Sequence, residues 1–185
     1  MFKKLFIYPP FIAFVGATIC ISLIAYLSQI SNEYILWMIP TFGASVVLIT
    51  ALPDSPLARP RNIFFGHLIS AGSGFFVLII LGTNFFTIGL AVGLAIVLMM
   101  MSGFLHPPAG GNPIMIMIST VSLEYNVLPL AIGVIIISIY SVIFNKIILK
   151  RNYPWFCKRS FARPCVSTKQ NGFNRQYSKD CRKLL

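Results

Sequence analysis

Six apolar stretches, each near the length that crosses a bilayer, follow one another along this chain with very little between them. They cover 11–30, 35–52, 63–81, 85–104, 107–121 and 127–149. Crossing about 30 Å of hydrocarbon takes about 20 apolar residues in a helix. The joints "SNEY", "GTN" and "SLEYN" are too short to hold a soluble layer, and only "PDSPLARPRN", 53 to 62, is longer. Charged residues make up 10% of the chain, against roughly 25% in a soluble domain. The fold class this predicts is all-α, a polytopic transmembrane helix bundle of about six segments. The second and fifth are short and broken by proline and glycine. One membrane domain, 1–151, is expected, followed by a basic tail, 152–185, with the composition of a disordered segment.

Charge decides the orientation. The net charge is +11, yet residues 1–145 hold only Lys3, Lys4, Arg59 and Arg61 as cations, and the other 11 lie from Lys146 onward. Cytoplasmic loops carry the excess of lysine and arginine. Placing both basic ends inside requires an even number of spans. Six spans also bring Arg59 and Arg61 inside, and leave the three outer joints without a cation. Four spans, with the short segments re-entrant, would put those arginines outside. Six spans are therefore expected, with N- and C-termini on the cytoplasmic side of an inner membrane. The tail has no folded motif to present a basic face to nucleic acid, so the bilayer is the expected partner and nucleic acid is not. The apolar run from Phe11 to Leu27 exceeds an ordinary signal-peptide core and no A-x-A site follows it, so it reads as a retained first span.

Helix packing is signalled by Gly89 and Gly93, and by Gly66, Ser70 and Gly74. Small residues four apart let backbones approach closely, which supports a compact bundle without specifying a function. The run from Met99 to Met101 reads as core or lipid-facing side chains. A second regularity lies in "PTFGASVVLI" (40–49) and "PPAGGNPIMI" (107–116). Each has proline, small residues, a polar Ser45 or Asn112, then an apolar run. Each opens the middle segment of a three-segment half, which is the layout of a 3+3 inverted repeat, where transporters build sites from broken helices. The match is short, and chance repetition stays open beside it.

Three places could carry chemistry. "HPPAGGNP" puts His106 before Pro107 and Pro108, with Gly110 and Asn112 following. Proline is tolerated in the first helical turn, and irregular backbone at membrane depth must face protein or a wet cavity. The stretch reads either as a half-helix start aimed at an anion, with His106 as a gate or proton-linked contact, or as an ordinary cytoplasmic turn. In "PDSPLARPRN", Arg59 and Arg61 either concentrate anions at a cytoplasmic mouth or only signal topology, with Asp54 paired to one of them. Ser55 or Asp54 could bond locally, and Asn62 could cap the third segment. His67 lies about one turn into that segment on the face of Ser70 and Ala71. An ionisable residue inside a span is a functional hypothesis by default, and the alternative is an interfacial histidine bonded to the 53–62 loop. His67 and His106 fall near the same membrane face and could meet.

No Walker loop, HExxH, GxSxG or useful carboxylate pair is present. Cys157, Cys165 and Cys181 lack the spacing of a zinc site. No cofactor, no metal and no enzymatic activity are therefore expected. A membrane enzyme would become attractive if His67, His106 and Asp54 shared one closed pocket.

The blocks "FGASVVLITALPDSPLARPRNIFFGHLISA" (42–71) and "HPPAGGNP" (106–113) resemble the HPP family of integral membrane proteins, named for that tripeptide. The resemblance covers roughly residues 8 to 150. Members are usually described with four spans, and the family is similar to a plant plastid nitrite transporter and its cyanobacterial relatives. The resemblance thus implies transport of a small anion, nitrite first. By motif it carries over Phe42, Gly43, Ala44 and Ser45; Pro53, Asp54, Ser55 and Pro56; and Pro60, Arg61, Asn62, Gly66 and His67. The last block is His106, Pro107, Pro108, Ala109, Gly110, Asn112 and Pro113. Arg59 and Gly111 stand where relatives tend to have glutamine and alanine. The expectation is a transporter or channel whose pathway is lined by Gly43, Ser45, Asp54, Arg61, His67, His106, Pro107, Pro108, Gly110 and Asn112. The alternative is a scaffold or sensor whose basic tail recruits a partner or anionic lipid. A bundle this small is compatible with a homo-oligomer, though no residue specifies one.

Overall fold

The computed structural model describes residues 9–30, 39–119, 123–151, 153 and 154, the side chains of 9 and 123–128 excepted. The expected tail, 152–185, falls almost wholly outside them. Six α-helices are present among the described residues: α1 (Pro9–Ile30), α2 (Pro40–Ala51), α3 (Pro60–Leu81), α4 (Phe85–Ser102), α5 (Asn112–Ile118) and α6 (Leu123–Val142). Four, namely α1, α3, α4 and α6 with its continuation, are long and apolar enough to cross a membrane. The other two are the short segments expected from the sequence. At 1.5 Å per residue the 12 residues of α2 span about 18 Å and the 22 of α3 about 33 Å. Phe14, Phe76, Ile79, Phe85, Phe86, Met101 and Ile139 are exposed, the reverse of a soluble surface and suited to lipid.

Local chemistry sets the boundaries. Pro40, Pro60 and Pro107 each open a helical turn, where a missing N–H costs nothing. Asn84 caps α4 by accepting from the amides of Phe86 and Thr87 at 2.9 and 3.0 Å, and Thr87 accepts from the Asn84 amide in return. Gly103 ends α4 in a left-handed conformation (φ 72°), which glycine adopts without a side-chain penalty. The chain then runs extended through His106, as a residue before proline prefers, into a 3₁₀ turn, Pro107–Gly111, and α5.

Contacts between distant residues fix which ends lie together. Tyr140 donates to the Gly16 carbonyl at 2.6 Å, Asn145 to that of Ile49 at 3.1 Å and Tyr153 to that of Ala58 at 2.6 Å. The beginning of α1, the end of α2, the 52–59 loop, the beginning of α3 and the end of α6 therefore share one end of the bundle. Thr83, at the other end, donates to Met117 at 2.9 Å. So α2 runs toward the loop end while 107–118 runs away from it. The two short segments are antiparallel, and neither is among the four helices long enough to cross a membrane.

The main core joins Cys20 and Ile24 of α1, Phe42, Val46 and Ile49 of α2, Ile63 and Ala71 of α3, Ile116, and Val134 and Ile137 of α6. The Gly66–Ser70–Gly74 stripe is the bed for the broken segment. A Cβ on Gly66 would stand 2.7 Å from His106 Cβ, and one on Gly74 would stand 2.8 Å from Pro113 Cα. Gly89 and Gly93 instead face outward, with nothing within 4 Å of a Cβ. Met99 is buried while Met100 and Met101 are exposed.

Candidate functional site

His67 and His106 are fully buried and their rings lie 5.2 Å apart, centroid to centroid. Each arrives by a different route. His67 is seven residues into α3, roughly 10 Å from its start, two turns in rather than one because the helix begins at Pro60. His106 reaches the same depth because the chain beyond Gly103 folds back against Gly66.

Ser45 of α2 joins them. Its Oγ is 2.9 Å from Nε2 of His67 and 2.9 Å from Nε2 of His106. It also lies 3.0 Å from the Thr41 carbonyl one turn earlier on α2. Asn112 Nδ2 sits 2.9 Å from His67 Nδ1 and donates to the His67 carbonyl at 3.2 Å. Asn112 Oδ1 accepts from Thr41 Oγ1 at 2.9 Å. His106 Nδ1 is 2.8 Å from the Leu57 carbonyl in the 3₁₀ turn Pro56–Ala58. Phe42 closes the apolar side with an edge-on contact to His67, 5.7 Å between centroids. Ser70 donates to the Ala109 carbonyl at 2.5 Å, anchoring the PPAGG turn to α3. Thr41, Ser45, Ser70, Asn112 and both histidines are all buried. The polar atoms are paired throughout, as burial in an apolar bundle demands.

The turn above this cluster is tied down at three successive carbonyls. Pro56 accepts from Asn62 at 3.2 Å, Leu57 from His106, and Ala58 from Tyr153. Asn62 also donates to Leu105 at 3.2 Å, so it links two loops and does not cap α3 as the sequence suggested. Ser55 does bond locally, accepting from the Leu57 amide at 3.2 Å. His106, and not His67, is the histidine bonded to the 53–62 loop.

Several expected pathway residues lie elsewhere. Ser45, His67, His106 and Asn112 meet; Pro107, Pro108 and Gly110 form the turn that positions them. Gly43 is exposed on the outer face of α2, and Asp54 is exposed in the loop. Asp54 makes no ion pair with Arg59 or Arg61 among the described residues. Arg61 is exposed, its guanidinium 5.3 Å from the centre of the Phe104 ring. Arg59 is partly buried, and its Nε is a buried donor with no partner among the described residues. Burial first, and the adjacent Arg61 charge second, hold the Arg59 guanidinium below its ordinary value.

Thr41 and the Leu57 carbonyl were not foreseen. Thr41 had a signal, since it follows the proline that opens the 40–49 echo; a backbone carbonyl has none. Also unforeseen is the wide π-helical turn Ile143–Ile148 that ends α6. It turns Asn145 inward, where its amide bonds Ile49 and Ser141 and its Oδ1 accepts from Arg151 at 3.0 Å. Among the described residues no group of three histidine, cysteine or acidic side chains converges as a metal centre would need.

The fold and the site together define an all-helical, polytopic membrane protein with a buried histidine centre where the starts of two short segments meet. Residues 6–154 match the family described as "HPP, transmembrane region". The chain belongs to that family. Two proteins of Dictyostelium discoideum, each described as a transmembrane protein, are among its relatives. One is 35% identical over 152 residues, covering 78% of this chain and 48% of the relative; the other is 33% identical over 127 residues, covering 64% and 45%. The chain thus spans about half the length of the curated relatives it matches. No solved structure matches it.

Proposed function

We propose that the chain is a membrane carrier for a small monovalent inorganic anion, with nitrite the first candidate. The observation that carries this reading is the buried His67–Ser45–His106 bridge where the starts of α2 and the 107–118 segment meet. Ionisable groups inside an apolar bundle are costly to keep and mark ion or proton pathways. Broken helices meeting inside a membrane are the usual place for a transported solute to bind. The sign of the charge follows from the surroundings. The charged side chains flanking the turn over the cluster are Arg59 and Arg61 on one side and the exposed Asp54 on the other, a net positive charge, and Arg59 Nε is a buried donor without a partner among the described residues. What favours a carrier over a catalyst is Asp54, which stays out in the loop when a serine–histidine–carboxylate arrangement would need it beside a ring. The loop end is assigned to the cytoplasmic side of an inner membrane, since Arg59, Arg61, Lys146, Lys150 and Arg151 gather there.

The test is flux. Full-length protein in proteoliposomes is expected to admit nitrite, nitrate, formate or chloride faster than protein-free vesicles, and His67→Ala is expected to abolish the difference. Folded protein that moves none of the four anions sinks the reading.

A further inference from the structure

The hydrogen-bond partners around Ser45 assign the proton on every ring nitrogen. A carbonyl oxygen only accepts, so His106 Nδ1, facing Leu57 O, carries a hydrogen. Asn112 Nδ2 faces the His67 carbonyl, which fixes the orientation of its amide; Nδ2 therefore donates to His67 Nδ1, which must be bare. A neutral His67 then carries its proton on Nε2 and donates to Ser45 Oγ. A neutral His106 is bare at Nε2 and accepts from the Ser45 hydroxyl. The result is one directed chain: Asn112 to His67 to Ser45 to His106 to Leu57. Two histidines of the same type are held in opposite tautomers.

One contact is left over. Ser45 has a single hydroxyl hydrogen, and the Thr41 carbonyl at 3.0 Å competes with His106 Nε2 for it. Rotating that hydrogen to Thr41 frees both oxygen lone pairs. Ser45 can then accept from Nε2–H of His67 and from a newly protonated Nε2–H of His106. Every polar group is again paired, with one more proton in the cluster and every heavy atom where it was. His67 has no equivalent second state, because a proton on its Nδ1 would point at the Asn112 amide hydrogens.

We propose that this cluster is a one-proton site, with the proton held on His106 Nε2 and Ser45 as its switch, and that the proton travels with the transported anion. The coupling rests on the carrier reading given above; the proton site does not. Among the described residues, the titratable group facing each ring is the other histidine. On α3 and its loop, Arg59 and Arg61 add positive charge, and Asp54 is exposed. From α2 the ring neighbours are Thr41, Ser45 and Phe42; from the 107–118 segment, Asn112. A buried imidazolium without a carboxylate is expensive, and a monovalent anion beside it restores neutrality. Loading one therefore favours loading the other, and the pair crosses without net charge: one proton and one anion bound on one side, both released on the other.

Two measurements test this on the full-length chain. ¹⁵N spectra of histidine-labelled protein in nanodiscs are expected to show His106 protonated at Nδ1 and His67 at Nε2. On acidification only His106 should become doubly protonated. A shared tautomer, or His67 protonating first, overturns the proton site whether or not anything is transported. Proteoliposomes given a nitrate gradient, with a trapped pH dye, are expected to take up one proton per nitrate at a rate unaffected by clamping the membrane potential. His106→Gln should lower proton uptake per nitrate at least tenfold. Nitrate flux without proton uptake overturns the coupling and leaves the carrier intact, as does undiminished uptake in His106→Gln. If nitrate does not move, the same assay is run with nitrite, formate and chloride against protein-free vesicles. Immobility of all four overturns the coupling together with the carrier reading, and leaves the spectra to judge the proton site.

Discussion

Thr41 and Asn112 are 71 positions apart in sequence and share a 2.9 Å hydrogen bond. Through it, the start of one short segment touches the start of the other. The same Asn112 fixes the tautomer of His67, so its chemistry controls the cluster. In Asn112→Asp an acceptor replaces the donor facing His67 Nδ1. His67 is expected to take a proton on Nδ1. The check is its ¹⁵N shift: a bare Nδ1 in the variant contradicts the assignment.

Ser45→Ala removes the oxygen shared by both rings. It strands the Nε2–H of His67 and the bare Nε2 of His106, each at about 1–3 kcal/mol when buried and unpaired. Thermal unfolding in detergent should show a clear loss. Ser45→Thr keeps the hydroxyl and should recover most of it. Equal stability of the alanine variant and the parent would mean that the bridge contributes nothing.

The glycines of α3 separate close approach from composition. Gly66→Ala and Gly74→Ala would push a methyl to within 2.7 Å of His106 Cβ and 2.8 Å of Pro113 Cα, and overpacking costs about 1–3 kcal/mol. Gly72, on the same helix, has nothing within 4 Å of its would-be Cβ. Its alanine variant should be neutral or gain about 0.5–1 kcal/mol, the helix-interior difference between glycine and alanine. Unfolding midpoints of the three variants, compared with one another, are the measurement.

Tyr153→Phe should cost about 1 kcal/mol by deleting the bond to Ala58. It should also change the alkaline limb of stability. Burial pushes the Tyr153 hydroxyl from 10 up to about 12, so folding favours its neutral form. That contribution is complete below pH 10 and is lost as pH rises from 10 to about 12. The parent should lose stability faster than Tyr153→Phe across this window in parallel denaturation curves.

The long helices were legible because hydrophobic runs of fixed length have one use in a membrane. The short ones were legible as breaks, and the 40–49 and 107–116 echo correctly pointed to two segments that meet. Composition could not give the pairing across them: the echo aligned Ser45 with Asn112, whereas Asn112 bonds Thr41 and Ser45 bonds both histidines. That outcome depends on helical phase, which a proline-initiated 3₁₀ turn resets. Asp54, Arg61 and Gly43 were drawn into the pathway by motif and charge, yet their side chains or backbone face outward. Tyr153 sits in a sequence with no periodicity to announce it. It follows the π-helical turn at 143–148, which hydropathy did not announce either.

The turn Pro56–Leu57–Ala58 gives its three carbonyls to Asn62, His106 and Tyr153, which sit on α3, beyond α4 and beyond α6. Separating that turn from the bundle must break bonds to three elements at once. At about 1 kcal/mol each, the loss together shifts the open population by about two orders of magnitude, while any single loss shifts it by less than ten. The tripeptide thus ties three separate stretches of the chain together over the cluster, and loss of any one bond leaves the other two to hold it.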